Sequence, residues 1–194
     1  MKSVIESIKN LFKKWYSIFR NFCYLFAVWA VIYSTISICN FSVAFEYDDG
    51  VVYSGDLYRK AAQNKTENFY SFINSNTDSE KTKLIPFILI IFFKITGFKV
   101  DFIADRDNIN TSDIFKKWNN WASSIYFVSD QNQKYELLES KKYLLFFSSS
   151  DEGIIQSKKA GIYPLRIKRN PKSASELSYV PGRFNEFIIP FSEF

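Results

Sequence analysis

Histidine is missing from all 194 residues, and cysteine occurs only twice. Without His there is no Ser–His–Asp triad, no phosphohistidine chemistry and no His-containing zinc site. Both cysteines, Cys23 and Cys39, fall inside an N-terminal apolar stretch. The rest of the chain can therefore build neither a disulfide framework nor a thiolate metal site. Any catalysis has to run on carboxylates, Lys, Ser, Thr or Tyr. Excess charge is also scarce where it would indicate a polyanion. The net charge is +5, but residues 1–41 hold five basic residues against one acidic, leaving 20 basic and 19 acidic residues on 42–194. A domain so close to neutral lacks the electrostatic footprint of a nucleic-acid binder.

Apolar residues are plentiful at 47%, including 21 Phe, enough for a sizeable core and far from the composition of a disordered chain. The basic residues at the N-terminus precede an uncharged run, residues 22–39. As a helix this run would span roughly 27 Å, close to the thickness of a bilayer core. The preceding Lys and Arg side chains then predict a cytoplasmic segment over 1–21 and a signal anchor over 22–39 in the inner (cytoplasmic) membrane, with the following domain on the periplasmic or extracellular side. Two other readings stand beside this one. One is a cleaved signal peptide, with Thr35-Ile36-Ser37 as a small-x-small site; the other is a buried core helix.

From residue 41 onward short apolar strands alternate with helical patterns. Phe41–Tyr47 reads as a buried strand running into the acidic tip Asp48-Asp49-Gly50, and acidic groups just past a strand end sit where α/β folds build their sites. Further strands are predicted at Lys99–Ala104, Ile125–Val128, Tyr143–Phe147, Leu165–Lys168 and Glu186–Ile189. Helices are predicted over 84–96, Gln133–Lys141 and Gly153–Ala160. This order implies a mostly parallel sheet with helices on both faces. The run Leu84–Phe93 is too short to cross a membrane and reads as a buried helix, or one that docks on a membrane or a partner. Lys158-Lys159 and the basic run 166–172 read as solvated faces, with a membrane surface or anionic partner as the alternative.

Four ordered segments resemble the class B acid phosphatases, a branch of the haloacid dehalogenase superfamily. Phe45-Glu46-Tyr47-Asp48-Asp49-Gly50 parallels Phe-Asp-x-Asp-Asp-Thr; Phe102-Ile103-Ala104-Asp105-Arg106 parallels Phe-Val-Thr-Gly-Arg; Lys134 falls on the family's catalytic Lys; and the run from Phe147 to Ile154 parallels Tyr-Gly-Asp-Ser-Asp-Asn-Asp-Ile. The likeness covers nearly all of 42–194 and implies a Rossmann-like haloacid dehalogenase fold over 41–194. In that family the first Asp attacks phosphorus, the second is the general acid and base, a Thr and the Lys hold the phosphoryl oxygens, and Mg²⁺ is bound by the nucleophile and an Asp of the fourth motif.

Carried over position by position, the resemblance makes Glu46, Asp48 and Lys134 the catalytic set. Ala104, Arg106 and Lys134 would bind phosphate. Glu46, Asp48, Ser149 and Asp151 would form a degraded metal site. Glu46 replaces the nucleophile, Gly50 and Ala104 replace threonines, and Ser149 replaces the metal Asp. The expectation is a membrane-anchored phosphatase-like protein with impaired or absent catalysis, no cofactor, and a role in binding a ligand, a protein partner or another copy of itself. The alternatives are a working Mg²⁺-dependent phosphomonoesterase that attacks through Glu46, and a structural subunit of a membrane complex docked through 84–98.

Overall fold

The computed structural model describes residues 2–64, 68–175 and 177–194, with the backbone alone over 2–10 and at Phe12. Its first element is one continuous helix, α1 (Lys2–Ile38). The stretch Lys13–Ile38 is apolar and long enough to cross a membrane. Its side chains are largely exposed, Leu25 70% and Val31 66% among them, so the reading as a buried core helix fails.

Two residues after a left-handed Asn40, the chain enters β1 (Ser42–Glu46). Then follow β2 (Val52–Tyr53), α2 (Gly55–Gln63), α3 (Phe69–Ser75), β3 (Lys81–Thr82), α4 (Leu84–Ile95), β4 (Lys99–Ala104), α5 (Ser112–Trp118), β5 (Ser124–Phe127), α6 (Gln131–Lys141), β6 (Leu145–Ser148), α7 (Asp151–Lys159), β7 (Tyr163–Ile167) and β8 (Phe187–Ile189). Six strands form one sheet in the order β5-β4-β1-β6-β7-β8, and every neighbouring pair is parallel. Each predicted strand lies within two residues of an observed one at either end, and Lys99–Ala104 coincides with it. The hairpin of β2 and β3, together with α2, α3 and α5, is absent from the sequence reading: these pieces are short, with too few apolar repeats to register.

Side-chain alternation on the strands divides the core into two layers. Val43, Phe45, Val100, Phe102 and Phe147 pack with Ile90 and Phe93 of α4 and Ile114 and Trp118 of α5. Ala44, Ile103 and Phe146 point the other way, toward Leu138 of α6, and α7 packs beside α6. Period-two alternation on strands buried on both faces is what a sandwiched parallel sheet requires. The β1 and β6 rings Phe45 and Phe147 stack at 4.2 Å.

The apolar helix α4 is buried along Pro86, Ile90 and Phe93, but Leu84, Ile88, Phe92 and Ile95 remain exposed as one stripe. At its end α1 and the domain touch. Trp29 Nε1 donates to the Ile95 carbonyl at 3.0 Å. Gly97 has φ +94, and a Cβ there would lie 2.8 Å from the Tyr33 carbonyl. Both the left-handed backbone and the close approach of α1 call for glycine.

Candidate functional site

Because all six strands run the same way, their C-terminal ends share one edge, where α/β folds gather their sites. The ends of β1, β4 and β6 bring Glu46, Ala104 and Ser148 together there, and Lys134 reaches in from the first turn of α6. The Asp130 side chain caps α6, accepting from the Asn132 and Gln133 amides. That cap sets where the helix starts, and so where Lys134 points.

Lys134 is fully buried, and its Nζ donates to Glu46 Oε1 at 2.9 Å and to the Asp105 carboxylate at 2.7 Å. Glu46 is also fully buried. Its Oε1 accepts in addition from Ser150 Oγ at 2.8 Å; its Oε2 accepts from Ser148 Oγ at 3.0 Å, Ser149 Oγ at 2.9 Å and the Ser149 amide at 2.6 Å. Five donors therefore surround one carboxylate. Burial alone would raise its pKa, but the Lys134 charge, with hydrogen bonds from Lys134, Ser150 and the Ser149 amide, brings it down to about 2. Lys134 is held charged: burial works against the ammonium, and Glu46 and Asp105 outweigh burial. Asp105 has the weaker position. Burial, with Glu46 and Asp48 nearby, drives its carboxyl up to about 7 even though Lys134 lowers it.

A second ionic cluster lies alongside. The Arg106 guanidinium is fully buried and donates to Asp48 Oδ1 from Nε (2.8 Å) and Nη2 (2.6 Å), and to Glu80 Oε1 at 2.5 Å. Tyr58 Oη at 3.0 Å and the Asp105 amide at 3.2 Å complete the shell of Asp48. Glu80 in turn accepts from Tyr47 Oη at 2.5 Å. Burial acts against the Arg106 charge, but Asp48 and the other surrounding groups hold it firmly cationic.

Over this edge lies a cavity of about 520 Å³, walled by Asp48, Asp49, Asp105, Asp130, Tyr58 and Tyr70, with Ala174, Ser175 and Leu177 also in its lining. Glu46 and Lys134 do not line it; Ser149 stands between Glu46 and the open space. Nor, among the described residues, does the cavity wall offer an unpaired cation. Arg106 lies behind Asp48, and Arg59, the basic side chain on the wall, pairs with Asp56.

The residues singled out in the sequence are thus only partly united. Glu46, Lys134 and Ser149 form one hydrogen-bonded unit, and Asp48 and Arg106 form another. Ala104 is a buried methyl at the end of β4 with no hydroxyl to offer. Asp151 turns elsewhere: its carboxylate accepts from Arg166 at 2.8 Å, Ser178 Oγ at 2.8 Å and the Val180 amide at 3.0 Å. Arg166 is fully buried between Asp151 and Glu186, so this part of the 166–172 run is not a solvated face.

The four positions proposed for Mg²⁺ do not fit the ion, which requires free, hard anionic oxygens in near-octahedral array. Both oxygens of Glu46 are saturated by donors, Ser149 spends its hydroxyl on Glu46 and the Asp48 carbonyl, and Asp151 is bound to Arg166. Among the described residues, no group of three or more carboxylate or thiolate side chains is arranged to hold a metal.

Sequence reasoning missed Asp105, Glu80 and Tyr58. Asp105 left a trace, since a carboxylate stands where the resemblance has glycine, next to the Arg. Glu80 and Tyr58 left none, because only the fold brings α2 and the residues before β3 over the strand ends. The structure also explains Gly50, where the family pattern has Thr. A Cβ at Gly50 would sit 2.0 Å from the Glu46 carbonyl oxygen. Gly50→Thr should therefore destabilise the protein by ~1–3 kcal/mol through overpacking against the backbone, read as a lower midpoint in urea unfolding.

No family model matches this chain, and no curated protein matches it. Solved structures do. The chain is similar to CbbY from Rhodobacter sphaeroides in complex with phosphate (10% identity, 78% of this chain and 95% of that one, TM-score 0.57). It is similar to a predicted phosphoglycolate phosphatase from Haemophilus somnus (10% identity, 79% and 96%, TM-score 0.56), and to a haloacid dehalogenase-like hydrolase from Xanthomonas campestris (10% identity, 79% and 91%, TM-score 0.52). At such identities the likeness speaks for architecture. With its parallel six-stranded sheet and its acidic strand ends, the chain has the haloacid dehalogenase-like α/β fold.

Proposed function

We propose that this protein is a membrane-anchored, class B acid phosphatase-like member of that fold in which phosphoryl transfer has been given up and the domain serves to bind a ligand or a protein partner. The observation that carries this reading is the state of Glu46. A carboxylate that attacks phosphorus needs an open in-line path and a lone pair free of donors. Glu46 is buried, saturated by five donors and separated from the cavity by Ser149. The cavity walls support the same conclusion. A phosphate there would face Asp48, Asp49, Asp105 and Asp130 with no unpaired cation among the described residues to meet it. The aromatic and acidic lining suits a ligand that is neutral or cationic.

The test is hydrolysis of an aryl phosphate by the full chain in detergent, with and without Mg²⁺. Beside it stands a partly restored variant, Glu46→Asp, Ala104→Thr and Ser149→Asp, with Gly50 retained. The wild type should show no Mg²⁺-dependent turnover. Turnover that appears with Mg²⁺ and disappears on Glu46→Gln would make Glu46 a nucleophile and overturn the proposal. Activity gained by the restored variant would show that the scaffold remains competent and that the residue changes are what silence it.

A further inference from the structure

The opposite edge of the sheet has a different chemistry. There the chain enters all six strands, and α1 emerges from this same edge, four residues before β1 begins. Helices that return antiparallel to the strands deliver their C-termini to this edge. With them come Lys94, Lys99, Lys141, Lys142, Lys158 and Lys159, all exposed except the half-buried Lys94. The turns that feed the strands hold a single carboxylate among the described residues, Glu186, and it is buried against Arg166. Glu139, in the last turn of α6, accepts from Tyr135 Oη of its own helix. Between the lysines stand apolar side chains open to solvent: Phe41 at 40%, Leu144 at 48% and Tyr163 at 57% exposure. Lysines in a last helical turn complement the helix dipole. That accounts for neither Lys99 nor the three apolar residues among them.

We infer that this edge rests on the bilayer that α1 enters, with the lysines on anionic lipid headgroups, the apolar side chains in the interfacial layer and the cavity facing away. The occupant follows from continuity. Trp29 and Tyr33 of α1 already touch Ile95 and Gly97 at this edge, so the apolar helix and this edge are contiguous. Basic residues interleaved with aromatic and aliphatic ones beside a membrane helix match the pattern that anionic leaflets attract. β1 separates the two edges by roughly 17 Å at the usual strand rise, which keeps the cavity in water. This inference rests on the membrane anchoring proposed above.

The experiment uses the full chain with Cys23→Ser and Cys39→Ser, carrying one new cysteine at Leu144→Cys on this edge or at Ala62→Cys by the cavity, each labelled with an environment-sensitive fluorophore. The protein is reconstituted into phosphatidylcholine vesicles with or without phosphatidylglycerol. The 144 label should shift to the blue and be quenched by brominated lipid chains when phosphatidylglycerol is present, while the 62 label should not respond. Changing Lys141, Lys142, Lys158 and Lys159 to Gln should abolish the response at 144 and leave co-flotation with vesicles intact, because α1 still holds the chain. If the protein floats but its 144 label is as water-exposed as the 62 label, the inference is overturned and the anchor stands. Unaltered quenching in the four-lysine variant overturns the role of the anionic headgroups. A chain that does not float overturns the anchor itself, and the docking with it.

Discussion

Lys134→Met should cost the domain ~3–5 kcal/mol, because removing one member of a buried ionic set leaves the others charged and without a partner. Nζ of Lys134 is the cation for both Glu46 and Asp105, and it is itself shielded from water. In a domain of this size the loss should lower the thermal midpoint by roughly 10 °C. A lysine whose work was to grip a substrate phosphate would behave oppositely: its removal would relieve repulsion and leave stability unchanged or improved. The second variant that sharpens the comparison is Glu46→Gln with Lys134→Met. It neutralises the deepest carboxylate along with its partner and should recover much of the loss. Denaturant unfolding of the two variants against wild type separates the readings. A stable single variant would mean that Lys134 is not the keystone of the ion cluster.

Stability should pass through a maximum in mildly acidic solution, with Glu46 and Asp105 responsible for its two sides. Glu46 has a folded-state pKa lowered from 4.5 to about 2. Its contribution is complete above 4.5 and is lost as the pH falls from there toward 2, since the unfolded chain takes up the proton first. Asp105 is displaced the other way, from 3.8 to about 7. The folded state then holds a proton that the unfolded state has released, so stability falls as the pH rises from about 4 to about 7. Between the two lies an optimum near pH 4. A tenfold difference in proton affinity between the folded and unfolded states is worth ~1.4 kcal/mol, so the slope toward neutrality should be readily measurable. Asp105→Asn keeps an oxygen for Lys134 and removes the titration. Thermal midpoints between pH 5 and 7 should then become flat, and higher at pH 7 than in the wild type. A wild-type profile already flat across that window would show that Asp105 is ionised throughout.

The strands were legible in the sequence because a sheet covered on both faces needs predominantly apolar segments, and Phe41–Tyr47, Lys99–Ala104 and Tyr143–Phe147 are short segments of this kind, the first two running into acidic residues. The apolar helix α1 was legible for a similar reason: eighteen uncharged residues after a basic stretch have few other uses. The small elements between β1 and β4 were not legible, since α2 and α3 are short and are held by contacts with each other and, for α3, with α5.

At the site, local pattern singled out the acidic tip at Asp48 and the family resemblance added Glu46, Lys134 and Ser149, but neither could say which partners they would choose. That depended on distances set by the packed sheet and by the start of α6. The fold buries Glu46 beside Lys134 and three serines, and in a dry interior each charge must take the nearest counter-charge and donors available. The charge distribution followed the same rule. Composition yields a nearly neutral domain, and one-dimensional order scatters its lysines between residues 94 and 159. Only the parallel topology of the six-stranded sheet, which sends the C-termini of α4, α6 and α7 to one edge and the strand C-termini to the other, separates a basic, partly apolar base beside the apolar helix α1 from an acidic cavity on the far side.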